Sequence, residues 1–129
     1  MEELIAAAQA VRARAYAPYS RHAVGAALRD DKGRVHLGVN VENAASPQGQ
    51  CAEASAIGAM VTAGGTCIAE IAIVGPGPHL CTPCGGCRQR LREFAGDDLP
   101  IFIGDPDGLQ EQFTLGALLP ASFGPENVG

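Results

Sequence analysis

The sequence is short of positive charge. Nine Lys and Arg residues, of which only Lys32 is a lysine, stand against 14 Asp and Glu, a net charge of −5. A protein that grips a duplex carries a basic footprint, and one that threads a single strand needs a positive groove. Neither is present, so no polynucleotide partner is expected. No apolar run reaches the roughly 18 residues of a membrane span, because Gly and Pro interrupt the long uncharged stretches. Met1-Glu2-Glu3 is acidic where a secretory leader is basic. A cytoplasmic protein with no membrane partner is therefore expected. Internal repeats and low-complexity linkers are absent. With 18% charged and 47% hydrophobic residues the chain also lacks the composition of a disordered protein. An even cysteine count is missing too. Five cysteines fit poorly with a closed disulfide framework, and in a reducing compartment grouped thiols favour metal binding or catalysis. What is present is 129 residues, enough for one domain spanning 1–129 that hides roughly two-thirds of its unfolded surface.

Leu4, Ala8, Val11 and Ala15 recur at helical spacing and predict an amphipathic helix over 2–16, stopped by Pro18. Residues 23–29 read as a strand, Asp30-Asp31-Lys32-Gly33 as a turn, and 35–42 as a second strand of period 2, completing a hairpin. The alternation sets Asn40 and Glu42 on one face, opposite Val35, Leu37, Val39 and Val41. Residues 44–50 form a loop. From Cys51 to Ala63 the chain is apolar nearly all round, which predicts a buried helix ended by Gly64-Gly65. Ile68 to Val74 is a strand. A second buried helix is expected from near Cys84 to before Gly96, with Cys87, Leu91 and Phe94 on one face. Residues 100–104 are a short strand, 105–108 a turn, and 114–119 a short helix capped by Thr114. The mixture of helices and strands, with at least one crossover, is of the α/β class.

Two cysteine motifs stand apart, Cys51-Ala52-Glu53 and Pro83-Cys84-Gly85-Gly86-Cys87, each opening an expected helix. A C-x-x-C pair at a helix start brings two sulfurs to one side. A third thiolate completes three ligands with an open fourth position, the pattern of catalytic rather than structural zinc. Glu53, two residues from Cys51, is placed to move protons there without being a ligand. Read alone, the C-x-x-C also fits a redox dithiol, or a zinc knuckle drawing on Cys81 or His79, and Cys51 fits a small buried residue.

The full set of motifs matches the zinc deaminase signature. More closely, the chain resembles the homotetrameric, all-cysteine cytidine deaminases over nearly its whole length. The resemblance rests on Ala17-Pro18-Tyr19-Ser20, residues 24–28, Asn40-Val41-Glu42-Asn43-Ala44, the two cysteine motifs with Arg88-Gln89, and Leu118-Leu119-Pro120 with Phe123. It implies a three-layer α/β/α sandwich built on a five-stranded mixed sheet flanked by helices. It implies one Zn²⁺ per chain on Cys51, Cys84 and Cys87. Glu53 is the implied proton carrier between water, N3 of the cytosine ring and the leaving ammonia. Asn40 and Glu42 are implied to hold the ribose hydroxyl, Ala52 to offer backbone groups to the base, and Phe123 to pack on the base across a subunit boundary of a homotetramer. The implied activity is hydrolytic deamination of cytidine and 2′-deoxycytidine, a step of pyrimidine salvage.

Two positions depart from that pattern. Relatives carry Arg directly after the catalytic Glu, against the thiolates; here the residue is Ala54. Three thiolates on Zn²⁺ leave a net negative charge that needs nearby positive potential. Helix N-termini supply part of it, and Arg88 or further backbone N–H groups are expected to supply the rest. His22 stands where relatives have Phe lining the base pocket, and adds an ionisable ring there. Cys67 and Cys81 are read as bystanders, with Cys81 a lesser candidate for a fourth ligand. Rival readings are a deaminase of a modified, blasticidin-type cytosine nucleoside, which departs from the Asn-x-Glu-Asn segment kept here, and a non-catalytic zinc-stabilised module, which has no use for Glu53.

Overall fold

A computed structural model describes all residues 1–129. Helix α1, Glu2–Arg12, opens with Glu2 and Glu3 and closes with Arg12, charges that complement the helix dipole. It buries Leu4, Ile5 and Ala8 against Ala27, Ala72, Val74 and Phe102 on one side of the sheet. The helix stops short of the expected residue 16. The N–H groups of Arg14 and Ala15 turn to Val11 and Arg12, and that of Tyr16 bonds the Asn40 carbonyl at 3.0 Å. A strand partner thus takes the backbone before the helical pattern runs out.

Strands β1 (Gly25–Asp30), β2 (Val35–Val39), β3 (Ile68–Val74), β4 (Pro100–Asp105) and β5 (Gly108–Thr114) form one sheet in the order β2-β1-β3-β4-β5. Only β3 and β4 are parallel; the other neighbours are antiparallel. The crossover between them carries α3, Gly85–Phe94. With α2, Ala52–Thr62, it lies on the side of the sheet away from α1. The three-layer, five-stranded mixed architecture is therefore the one the resemblance implies. The residues alone do not reveal β5. Its Gln110-Glu111-Gln112 run sits on a mostly exposed sheet edge, where no burial enforces alternation. Thr114 caps the short helix α4, Leu115–Leu118, its hydroxyl accepting from the Ala117 N–H at 3.3 Å.

Two expectations need correction, and the hairpin adds a feature that polarity alone does not reveal. Helix α2 is not wholly buried: Ala52, Glu53, Ala56, Ile57 and Met60 face the sheet, while Gly58 and Val61 are exposed. One sheet covers only one side of a helix. Helix α3 is amphipathic, burying Cys87 and Leu91 while Gln89, Arg90 and Glu93 remain exposed. The hairpin keeps its period 2, yet hydropathy does not choose its inner face. His36 and Gly38 are buried, whereas Leu37 is exposed. The reason is proximity: a side-chain carbon at Gly38 would lie 2.3 Å from the Ala56 nitrogen and 2.4 Å from the Ala52 carbonyl. Helix α2 rides directly on the β2 backbone, which only glycine permits.

Candidate active site

Backbone geometry places the cysteines. Cys51 and Cys84 are the N-cap residues of α2 and α3, both extended, with φ −75°, ψ 157° and φ −66°, ψ 168°. Their carbonyls accept the first helical bonds, from Ser55 at 3.1 Å and Arg88 at 2.9 Å. Cys87 follows one turn into α3 and is fully buried. The three sulfurs all lie within 4.8 Å of one another, and those of Cys51 and Cys84 are 3.9 Å apart. That is no disulfide, whose sulfurs sit about 2 Å apart. Three thiolates around zinc at about 2.3 Å have sulfurs about 3.8 Å apart in a tetrahedron. The donor set fits zinc in type, number and spacing.

The electrostatics fit as well. Burial pushes the Cys51 and Cys87 thiols above their ordinary value. Cys84 is held below its ordinary value, chiefly by the backbone N–H of Cys87. Thiols raised by burial ionise only against a cation, and two helix N-termini add positive potential. The backbone donors expected to help balance the thiolates are thus present. Arg88 is not: its guanidinium is committed to the carbonyls of Pro83 and Leu118, each at 2.7 Å. Those bonds anchor the segment ahead of α3 to the C-terminal end of α4, a structural task.

Glu53 lies in the first turn of α2, two residues after the Cys51 N-cap, and is 5% exposed. Burial holds its carboxyl above the ordinary value, while its own backbone N–H and the charge of Arg90 pull the other way. It shares a pocket of ≈ 220 Å³ with His22, Val24, Asn40, Ala52 and Cys81, and with the sulfur-bearing Cys51 and Cys84. Of the residues singled out in the sequence, the structure therefore gathers Glu53, Cys51, Cys84, Asn40, Ala52 and His22 around one cavity. Cys81 and Val24 join them without having been singled out for it. Cys81 is no part of the metal group; its sulfur faces His22 Nε2 at 3.7 Å, and burial pushes the thiol up to about 11. Its spacing three residues before Cys84 was the available signal, and it suggested a ligand rather than a wall.

Glu42 and Phe123 lie outside this pocket. Glu42 borders a neighbouring cleft of ≈ 330 Å³, where it accepts from the N–H groups of Tyr19 and Ser20 at 3.0 and 3.1 Å and from the Ser20 hydroxyl. Those bonds hold its carboxyl below its ordinary value. Asn40 is similarly engaged: Oδ1 accepts from the Val24 N–H at 2.9 Å, and Nδ2 donates to the His22 carbonyl at 2.8 Å. Both side chains strap the 16–24 loop to the end of β2. Phe123 is 60% exposed and faces no pocket of its own chain.

A thiolate triad at two helix starts, an adjacent buried carboxylate and a small, mostly apolar cavity beside them in an α/β/α sandwich define a metal-dependent hydrolase-type centre. Comparison makes this specific. Residues 1–103 match the family described as the cytidine and deoxycytidylate deaminase zinc-binding region, and the chain belongs to that family. A cytidine deaminase of Sporosarcina psychrophila is 36% identical over 128 residues, covering 99% of this chain and 94% of the relative. One from Mycobacterium tuberculosis is 42% identical over 114 residues, 88% of this chain and 82% of the relative. The crystal structure of cytidine deaminase from Burkholderia pseudomallei superposes with a TM-score of 0.88 at 41% identity, over 94% of this chain and 97% of that one. No helix is long and apolar enough to cross a membrane.

Proposed function

We propose that this chain hydrolytically deaminates cytidine and 2′-deoxycytidine to uridine and 2′-deoxyuridine, releasing ammonia, as a cytoplasmic enzyme of pyrimidine salvage. The observation that carries the reading is a buried Glu53 in one cavity with Cys51 and Cys84, two members of a three-sulfur group spaced for zinc. Cys51, Cys84 and Cys87 would hold the zinc, which when bound would supply the Lewis acidity that makes a water nucleophilic near neutral pH. Glu53 takes a proton from the attacking water and delivers it to N3 of the ring as oxygen adds to C4. It then carries a second proton, taken from the hydroxyl now on C4, to the amino group; the C4–N bond breaks, the C4 carbonyl forms, and ammonia leaves. A carboxyl raised by burial suits a carrier that must both accept and donate near neutrality.

Ala52, at the mouth of α2, offers backbone groups to the base. Asn40 shapes the ribose side of the cavity, and His22 forms a wall where a flat ring stacks on the base. Glu42, across the strap, completes ribose recognition once a sugar hydroxyl displaces Ser20. A cavity of ≈ 220 Å³ is small for a nucleoside, since ligand pockets run from about 300 Å³. The exposed apolar side of α2 and the outlying Phe123 support a homotetramer in which a neighbouring subunit brings Phe123 to the base. Loss of ultraviolet absorbance on mixing purified protein with cytidine tests the activity. Glu53→Gln is expected to keep its zinc and lose turnover by about 10²–10⁴-fold. Zinc-loaded wild-type protein that leaves cytidine unchanged at every pH refutes the reading.

A further inference from the structure

Three thiolates on a divalent cation sum to a net negative charge, and the residue after Glu53 supplies nothing against it, being Ala54. The small side chain leaves a cleft of ≈ 400 Å³ beside the metal group, bordered by Cys51, Ala54, Ile57, Gly58 and Arg90. Arg90 lies on α3, one turn beyond Cys87, and its side chain runs back toward the helix start, the direction helical side chains take. It passes over Gly86. A carbon built on Gly86 would lie 3.1 Å from Arg90 Nη1 and 4.0 Å from Cys84 Sγ, so guanidinium and sulfur border the same small space. The other guanidinium groups near the thiols are committed, Arg88 to Pro83 and Leu118 and Arg12 to the Ala23 carbonyl. Arg90 makes no hydrogen bond or ion pair within the chain, and its field already reaches Glu53.

We infer that Arg90 is the positioning residue that balances the thiolate charge of Cys51 and Cys84, reaching from α3 across the space that Ala54 and Gly86 leave open. Ala54, Gly86 and Arg90 then form one unit. Two small residues make the room, and the cation comes from the opposite helix instead of from α2. The charge lowers the cost of holding three thiolates together, so it slows loss of the metal and steadies the geometry in which Glu53 works.

The inference rests on the zinc-binding reading, and its readout is metal release, independent of which nucleoside is the substrate. Zinc-loaded protein is mixed with a chromogenic chelator and the release rate followed. Arg90→Gln is expected to release zinc roughly tenfold faster than wild type, the usual cost of losing an outer-sphere partner. Arg90→Lys should recover part of the loss. Ala54→Arg in the Arg90→Gln background should recover most of it, by returning positive charge to the cleft from α2. A merely structural Arg90 would not be rescued from another helix. Thermal melting checks that each variant is folded. Release at the wild-type rate from folded Arg90→Gln overturns the inference, as does a folded double variant that releases as fast as Arg90→Gln.

Discussion

Replacing Gly38 by alanine would test how tightly the sheet governs the site. The added carbon would meet the Ala56 nitrogen at 2.3 Å, the Ala52 carbonyl at 2.4 Å and the Ala56 Cα at 2.9 Å. All three are backbone atoms, so no side chain can swing away. Ordinary contact requires α2 to withdraw from β2 by about 1 Å. Overpacking of this kind costs about 1–3 kcal/mol, which for a domain of this size lowers the melting temperature by roughly 4–12 °C. The same displacement carries Cys51 and Glu53 away from Cys84 and Cys87, and a 1 Å misplacement costs about 10²-fold in rate. Melting temperature, zinc content and kcat/KM should therefore all fall. Gly25→Ala is the control. Its carbon would strike the Ala8 carbonyl at 2.2 Å, so α1 must yield on the opposite side of the sheet. That variant should melt lower while keeping zinc and much of its turnover. A Gly38→Ala protein with wild-type melting and wild-type kcat/KM refutes the claim that α2 is seated by this contact.

Two further outcomes follow from polar contacts. Asp30 accepts from His36 at 2.9 Å, from Arg34 Nε at 2.8 Å, and from the N–H groups of Lys32 and Arg34, with the His36 contact weighing most in holding its carboxyl well below the ordinary value. A depressed carboxyl contributes stability above its unfolded pKa and loses it as pH falls through the folded value, so the loss begins below about pH 5. Melting curves from pH 7 to pH 2 should show a smaller acid drop for Asp30→Asn than for wild type, starting from a lower value at pH 7. Asn40→Ala strips the partner from the buried Val24 N–H, at a cost of about 1–3 kcal/mol. Hydrogen exchange at that amide should quicken and KM rise more than kcat falls.

The cysteine group and the carboxylate beside it were the most legible, because metal binding restricts residue type as well as spacing. Cys51, Cys84, Cys87 and Glu53 could be assembled from two short motifs. Boundaries were less legible where tertiary contacts overrode the local pattern. Helix α1 yields its last turn to the Asn40 carbonyl, and β5 is a strand only because β4 offers it an edge. The inner face of β2 was hidden for a related reason. Hydropathy assigns Leu37 inward, but the backbone approach of α2 at Gly38 reverses the assignment, and a contact between backbones leaves little trace in polarity. Arg90 was missed because its relevance depends on the gaps at Ala54 and Gly86, which lie on two different helices.

The strap formed by Asn40 and Glu42 has a consequence for how the protein would tell sugars apart. Both side chains already hold internal partners, Val24, His22, Tyr19 and Ser20. A sugar hydroxyl arriving at Glu42 trades places with the Ser20 hydroxyl, so the number of bonds stays constant across binding. A ligand lacking that hydroxyl leaves the old partner in place and no acceptor orphaned. Rejection of such a ligand is therefore mild, unlike a rigid socket whose unmatched groups are stranded without water. On the proposed reading the sugar side would work as an exchange, and stringency would have to come from the base.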